Sequence, residues 1–115
     1  MSDSILKTVK KLVGIDENYD AFDLDIITHI NSALSTLNQL GIGPEEGFMI
    51  DDDTATWDQL LGDDNRLNSV KSLIGLKVRV VFDPPATSFT LDAFNKQIEE
   101  LQWRLNVYRE GRDHP

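Results

Sequence analysis

Residues 67–82 read LNSVKSLIGLKVRVVF, and this stretch decides the fold. Its apolar residues recur at spacings of three and four, which predicts a helix over the whole stretch. Because the helix is apolar around most of its circumference, we expect it to be buried on more than one side. β-branched valines near its end leave a strand as the alternative there. The Asp83-Pro84-Pro85 segment terminates it, since proline cannot continue a helix. The predicted face consists of Leu67, Val70, Leu73, Ile74, Val78 and Val81, widened by Leu76, Val80 and Phe82.

A second long helix is predicted downstream, from Ser88 or Thr90 to about Arg109, followed by a frayed tail over residues 111–115. Its apolar residues alternate in steps of three and four, as in a heptad seam. This seam is expected to pack into the domain. It consists of Leu91, Phe94, Ile98, Leu101, Leu105 and Tyr108.

Trp103 and Val107 lie outside that seam and neighbour each other on nearly the opposite side of the helix. Two interpretations stay open. Either this second face, with Arg104 beside it, meets a partner, since Trp and Arg are enriched at interface hot spots, or the helix is central and both faces pack within the chain. Trp103, Arg104 and Val107 are therefore candidate interface residues.

Upstream of residue 67, a short helix is predicted from an N-cap at Asp53 to Gly62, and residues 63–65 supply the next cap. Residues 41–53 are predicted to form an irregular loop with three glycines and a proline. Within it, Phe48, Met49 and Ile50 form a short extended piece or fill the core. Phe48 and Met49 are candidates for contacts with a partner.

Two more helices are predicted in the first 41 residues. One follows an N-cap at Ser2, Asp3 or Ser4 and stops at Gly14, and the other begins near Asp20 and ends at Gly41. The sequence thus predicts a compact all-α single domain, residues 1–115, of about four helices plus one short helix. Its expected core includes these apolar stripes: Ile5, Leu6, Val9, Leu12 and Val13 in the first helix, and Phe22, Ile26, Ile27, Ile30, Ala33, Leu34, Leu37 and Leu40 in the second.

The charge of the chain is unevenly distributed. The net charge is -9, and residues 12–65 hold thirteen of the twenty acidic residues without one Lys or Arg. An acidic surface does not bind phosphates, so no sequence-specific nucleic-acid binding is predicted. The acidic residues suit the wall of a channel that repels DNA, or simply a solvated surface.

Residues for catalysis or metal binding are few. The chain has no cysteine, and its two histidines are His29, beside an apolar stripe, and His114, next to the C-terminus. Asp51-Asp52-Asp53 does not meet the EF-hand pattern, because the later Gly and Glu positions are missing. Glycines 41, 43 and 47 precede no Gly-Lys-Ser/Thr sequence of a phosphate loop. We therefore expect no enzymatic activity, no metal and no cofactor.

No apolar run reaches the roughly 20 residues needed to cross a membrane. The first thirteen residues lack the pattern of a secretory signal, so we expect the protein to be made and kept in a cytoplasm.

Six segments of the sequence resemble one family. They resemble the phage head–tail connector family, also called adaptor or head-completion proteins, as found in phages and prophages of Gram-positive bacteria. The resemblance covers residues 5–110. Its segments are residues 25–32 (DIITHINS), 37–44 (LNQLGIGP), 56–57 (TW), 76–79 (LKVR), 82–85 (FDPP) and 102–107 (QWRLNV).

This resemblance implies a small helical virion protein at the phage neck. It implies a ring of about twelve copies between the portal protein and the next neck or tail-completion protein, which helps to retain packaged DNA. It implies no catalytic residues and no cofactor. Two alternatives remain at this point: another neck or tail-completion protein, or a small acidic regulator that acts by binding other proteins.

Overall fold

A computed structural model describes the backbone of residues 3–113 and the side chains of residues 3–106. Within these residues no strand is present, and the β pairing is one isolated bridge between Ser4 and Thr56. The predicted all-α fold, with four longer helices and one short helix, is confirmed. The helices are α1 (Ile5–Leu12), α2 (Asp23–Gln39), α3 (Trp57–Leu61), α4 (Leu67–Phe82) and α5 (Ser88–Asp113).

Helix α4 lies at the centre, and α1, α2 and α5 all pack against it. Its bounds are those predicted, and the valines near its end are helical. Val70, Leu73, Ile74 and Val78 are fully buried. Burial among neighbouring helices outweighs the modest strand preference of β-branched residues. Gly75 is also buried, and a Cβ built there would lie 2.9 Å from Cδ1 of Leu12, so the missing side chain lets α1 approach α4 closely.

Helix α1 is fastened to the segment just before and within α3. The N–H of Ile5 donates to the carbonyl of Ala55 at 3.0 Å, and the N–H of Trp57 donates to the carbonyl of Asp3 at 3.2 Å. The buried indole Nε1–H of Trp57 donates to Oγ1 of Thr8 at 3.0 Å. These bonds join two segments about fifty residues apart, and they satisfy backbone groups at the start of each helix.

Lys10 is not part of the apolar stripe predicted for α1, yet it is buried. Its Nζ lies 2.8 Å from Oδ1 of Asp23 and donates to the carbonyl of Glu17 at 3.0 Å. Leu12, which was predicted to be in the core, is 51% exposed. Because α1 packs on both α2 and α4, its buried face is wider than one stripe and includes Lys10.

One predicted helix start and one predicted N-cap differ from the structure. Helix α2 begins at Asp23 rather than near Asp20, and no side chain caps its first residue. Helix α3 is capped by Thr56 rather than by Asp53: the hydroxyl of Thr56 accepts from the N–H of Gln59, whose side chain accepts from the N–H of Thr56. This reciprocal capping box satisfies two backbone donors, the N–H groups of Thr56 and Gln59.

The first cap is confirmed at Ser4, whose hydroxyl accepts from the N–H of Lys7. Gly14 and Gly41 follow α1 and α2 with φ values of +85° and +79°, the left-handed conformation that ends helices at glycine. Helix α5 continues to Asp113, beyond the predicted end near Arg109. The frayed tail over residues 111–115 stays a prediction, and residues 114 and 115 lie outside the described part of the chain.

Candidate interaction surfaces

Helix α5 has one packed side and one exposed side. Leu105, on the predicted seam, is buried, and Ile98 and Leu101 pack against the core. Trp103 is 65% exposed and Phe89 is 83% exposed, so neither is covered by the rest of the chain. Of the two interpretations of the Trp103 face, packing inside the chain does not account for this exposure.

Arg104 lies beside Trp103 and is likewise exposed. Its guanidinium donates to Oε1 of Glu100, one turn earlier, at 2.6 Å. An exposed pair of this kind contributes little to stability, but it holds the guanidinium in one place on the surface. Val107 belongs to α5, and its side chain lies outside the described residues.

The second candidate surface is the loop between α2 and α3, which is held on α2 by two asparagines. The side chain of Asn31 donates to the carbonyl of Ile50 at 3.0 Å and accepts from the N–H of Ile50 at 2.8 Å. Nδ2 of Asn38 donates to the carbonyl of Pro44 at 3.1 Å. Ile50 is buried, so the loop is fixed at both ends of the segment 44–50.

The predicted loop residues divide between the core and the surface. Phe48 is half-buried and packs against the core, while Met49 is 72% exposed. No extended strand forms here in the described residues; Ile50, rather than Met49, is the residue that fills the core.

An open groove lies between α4 and α5. Its floor is apolar and includes Gly75, Leu76, Phe94 and Leu101, and the groove has a volume of about 470 Å³. Leu12 closes one end. The apolar pattern of α5 does not predict this groove, because it leads one to expect a covered seam; Phe94 and Leu101 are in fact only half-buried. The one signal in the sequence was Gly75, a glycine inside an apolar helix, which often marks a close approach of another segment.

Aromatic side chains form a further apolar patch where α2 begins and α4 ends. The ring centroids of Tyr19 and Phe22 are 5.7 Å apart, and those of Phe22 and Phe82 are 5.3 Å apart. Phe22 was predicted to lie in the core but is 42% exposed. Phe22 is the residue just before α2 and does not have a helical backbone, so it does not lie on the buried face of that helix.

Acidic side chains from distant parts of the sequence meet in a cleft beside α1. Glu17, Asp20 and Asp23 line it from one side, and Asp51–Asp53 line it from the other. Lys7 lies within it, with Nζ 3.8 Å from Oδ2 of Asp53. Among the residues that the structure describes, no group of His, Cys, Asp or Glu is arranged to hold a metal ion.

Asp52 has a lowered pKa. The hydroxyl of Thr54 donates to its carboxylate at 2.6 Å, and the N–H of Thr54 donates to it at 2.9 Å. Both bonds favour the charged form and lower the pKa of Asp52 below its ordinary value of 3.8, with the hydroxyl as the larger cause. The carboxylate therefore carries a full negative charge at neutral pH.

His29 is half-buried on α2 and lines neither the cleft nor the groove described above. His114 lies outside the described residues. In the part of the chain that the structure describes, the helices are too short or too polar to cross a bilayer.

Comparison with known proteins identifies the family. The chain matches the family model described as "Phage connector protein" over residues 5–112, which is nearly the whole sequence. The comparisons with curated proteins and with solved structures find no match. The match agrees with the family that the six sequence segments indicated, and it covers all five helices up to one residue from the end of α5. The chain therefore belongs to the phage connector protein family.

Proposed function

We propose that this phage connector protein is a head–tail connector subunit that forms a ring between the portal and the tail. The single observation that carries the proposal, beside the family, is the exposed side of α5 with Trp103. A ring built from one kind of subunit needs two different contact patches on each copy. The chain offers such patches on α5 and on the loop between α2 and α3.

The proposed mechanism is binding without catalysis. Copies would assemble on the portal protein, about twelve to a ring, and present a surface to the next neck or tail-completion protein. Trp103, Arg104 and Val107 on α5, with Phe48 and Met49 on the loop, are the proposed contacts to a neighbouring subunit or to the portal. The place of action would be the virion neck, after assembly in the host cytoplasm.

The acidic residues would suit the wall of a channel through which DNA slides. The cleft lined by Asp51–Asp53 concentrates negative charge on one side of the chain. A channel wall of this sign repels phosphates and leaves packaged DNA free to slide during ejection.

The test is co-sedimentation of the purified protein with DNA-filled, tailless phage heads, followed by electron microscopy of the portal vertex. We expect a ring of added density at the portal. Heads assembled without portal protein serve as the control and should not bind the connector protein.

A folded, helical protein that leaves competent heads unchanged would overturn the connector proposal. Binding to tails instead of heads would assign the protein to tail completion. Tight, salt-sensitive binding to a basic host protein would assign it to the acidic regulators, an alternative that the acidic cleft favours.

A further inference from the structure

We propose that the loop segment Glu45–Met49 of one copy docks into the groove between α4 and α5 of a second copy. This inference deepens the proposed function, on which it rests, by naming the two surfaces that meet in the ring. The occupant of the groove is thus the protein itself, and the contact is heterologous, with different patches on the two copies.

The groove has the properties of a binding site for apolar side chains. Its volume of about 470 Å³ falls in the range of roughly 300–1,000 Å³ typical of ligand pockets. Leu12 packs over Gly75, where a Cβ would lie 2.9 Å from its Cδ1, and stands 51% exposed at the end of the groove. Phe94 and Leu101 face it and are only half-buried, although they belong to the heptad seam of α5. A neighbour that filled the groove would complete the burial of this seam.

The loop between α2 and α3 has the properties expected of a segment that inserts into this groove. Met49 is 72% exposed, and an unbranched thioether adapts well to an irregular apolar gap. The bonds from Asn31 and Asn38 fix the loop on α2, so little conformational entropy would be lost when it docks. Burying this exposed methionine in a partner would therefore cost little conformational entropy.

The net charges of the two surfaces have opposite signs. The groove is lined by Arg79, Arg104 and Glu100, so its lining carries one net positive charge. Each arginine also has an acidic partner in its own chain: Nε of Arg79 donates to the carbonyl of Asp83 at 2.9 Å and lies 3.6 Å from its carboxylate, and Arg104 donates to Glu100. A guanidinium has five N–H donors, more than these bonds use. Glu45 and Glu46 lie within the docking loop, and no Lys or Arg occurs from residue 12 to residue 65.

The two surfaces are separate within one copy. The groove is lined by residues of α1, α4 and α5, and the concave surface beside the loop is lined by residues of α2 and the loop itself; no residue is shared. This separation suits a head-to-tail contact that repeats around a ring.

The test uses the absence of cysteine from the sequence, which gives each single-cysteine variant one thiol. Met49→Cys is mixed with Gln97→Cys, whose side chain is exposed and lines the groove. The mixture is bound to DNA-filled, tailless heads and treated with a short bis-maleimide. We expect a cross-linked dimer of Met49→Cys with Gln97→Cys. Asp92→Cys, also exposed on α5 but outside the groove, is the matched control and should give no dimer with Met49→Cys.

A second variant, Met49→Asp, measures the contribution of the contact. Because Met49 is exposed, thermal unfolding should stay unchanged, while the number of copies bound per head should fall about tenfold, as expected for the loss of an interface hot spot. Two results would overturn this inference and leave the connector function standing. One is a ring at the portal that forms without the cross-link between Met49→Cys and Gln97→Cys. The other is normal binding of Met49→Asp to the heads. Heads that bind no wild-type protein would overturn both.

Discussion

Lys10 is the buried cation that joins the end of α1 to the beginning of α2. Its ammonium is held by the carboxylate of Asp23 and by the carbonyl of Glu17, so the intervening turn is tied down at two points. A buried charge without its partner is strongly destabilising, whereas the intact pair contributes little by itself. The value of the pair is therefore that it fixes where α2 starts.

We expect Asp23→Ala to lower the free energy of unfolding by about 2 kcal/mol, because Lys10 would stay buried without a carboxylate. This loss is smaller than that usually caused by removing one partner of a buried ion pair, because the side chain of Asp23 is 30% exposed and water screens the pair. Asp25→Ala is the control, since Asp25 is exposed in the same first turn. Urea denaturation measures both, and equal stability of the two variants would contradict the role of the pair.

At Asp52, we expect Thr54→Val to raise the pKa toward the ordinary value of 3.8, because the larger of the two favourable hydrogen bonds is removed. A carboxyl whose pKa is lowered by folding stabilises the protein above that ordinary value, and this contribution disappears as the pH falls through the pKa of the folded state. Carboxyl-detected NMR titration measures the change. Thr36→Val, whose hydroxyl donates to the carbonyl of Ser32, should leave the titration of Asp52 as it is.

The helices differ in how far the sequence predicts them. The bounds of α4 follow from its apolar pattern and from Pro84 after it, two signals that agree. The start of α3 was misplaced because three aspartates stand before it, whereas the hydrogen bonds are made by Thr56 and Gln59, the Thr-x-x-Gln pattern of a capping box. The start of α2 depends on Lys10 and Asp23, a contact between two elements that no local pattern contains.

The candidate surfaces were predicted in part. The pattern of α5 separated Leu105 from Trp103, and the structure places the first in the core and the second outside it. The groove could not be predicted, because it depends on the distance between α4 and α5 rather than on the pattern of either helix. Whether these surfaces bind a partner stays a prediction.

For α5, we expect Trp103→Ala to leave thermal unfolding almost unchanged, within about 0.5 kcal/mol, because the side chain is exposed. The same variant should lose assembly on phage heads if its side of the helix forms an interface. Leu105→Ala is the contrasting change in the same turns of the helix: Leu105 is buried, and its truncation should cost about 2–4 kcal/mol. Calorimetry together with head binding separates the two roles; a collapse of stability in Trp103→Ala would assign it to the core.

On the scale of the whole molecule, charge is divided along the chain. Residues 12–65 contain thirteen acids and no Lys or Arg, and the remaining residues contain all eleven basic side chains. Two of those basic side chains, Lys10 and Arg66, are buried and paired with Asp23 and Asp64, so they contribute little to the charge of the surface. This distribution opposes contact with DNA.

We therefore expect the free protein to leave duplex DNA unshifted in a gel assay at low salt, where contacts to phosphate are strongest. Variants that replace Asp51, Asp52 and Asp53 by Asn test whether the acidic cleft contributes to the repulsion. A retarded band for the wild-type protein that weakens as salt is added would contradict this prediction.

The hydrogen bonds that join α1 to residues 55–57 also determine when α1 can fold during synthesis of the chain. Helix α1 leaves the ribosome well before Ala55 and Trp57, the residues with which it forms hydrogen bonds. It also leaves before α4, the central helix against which it packs. At about 5–20 residues per second, the nascent chain spends several seconds with this amphipathic segment unpaired. A helix of eight residues is too short to persist alone in water. The earliest helix in the chain is thus completed only when the middle of the protein has been made.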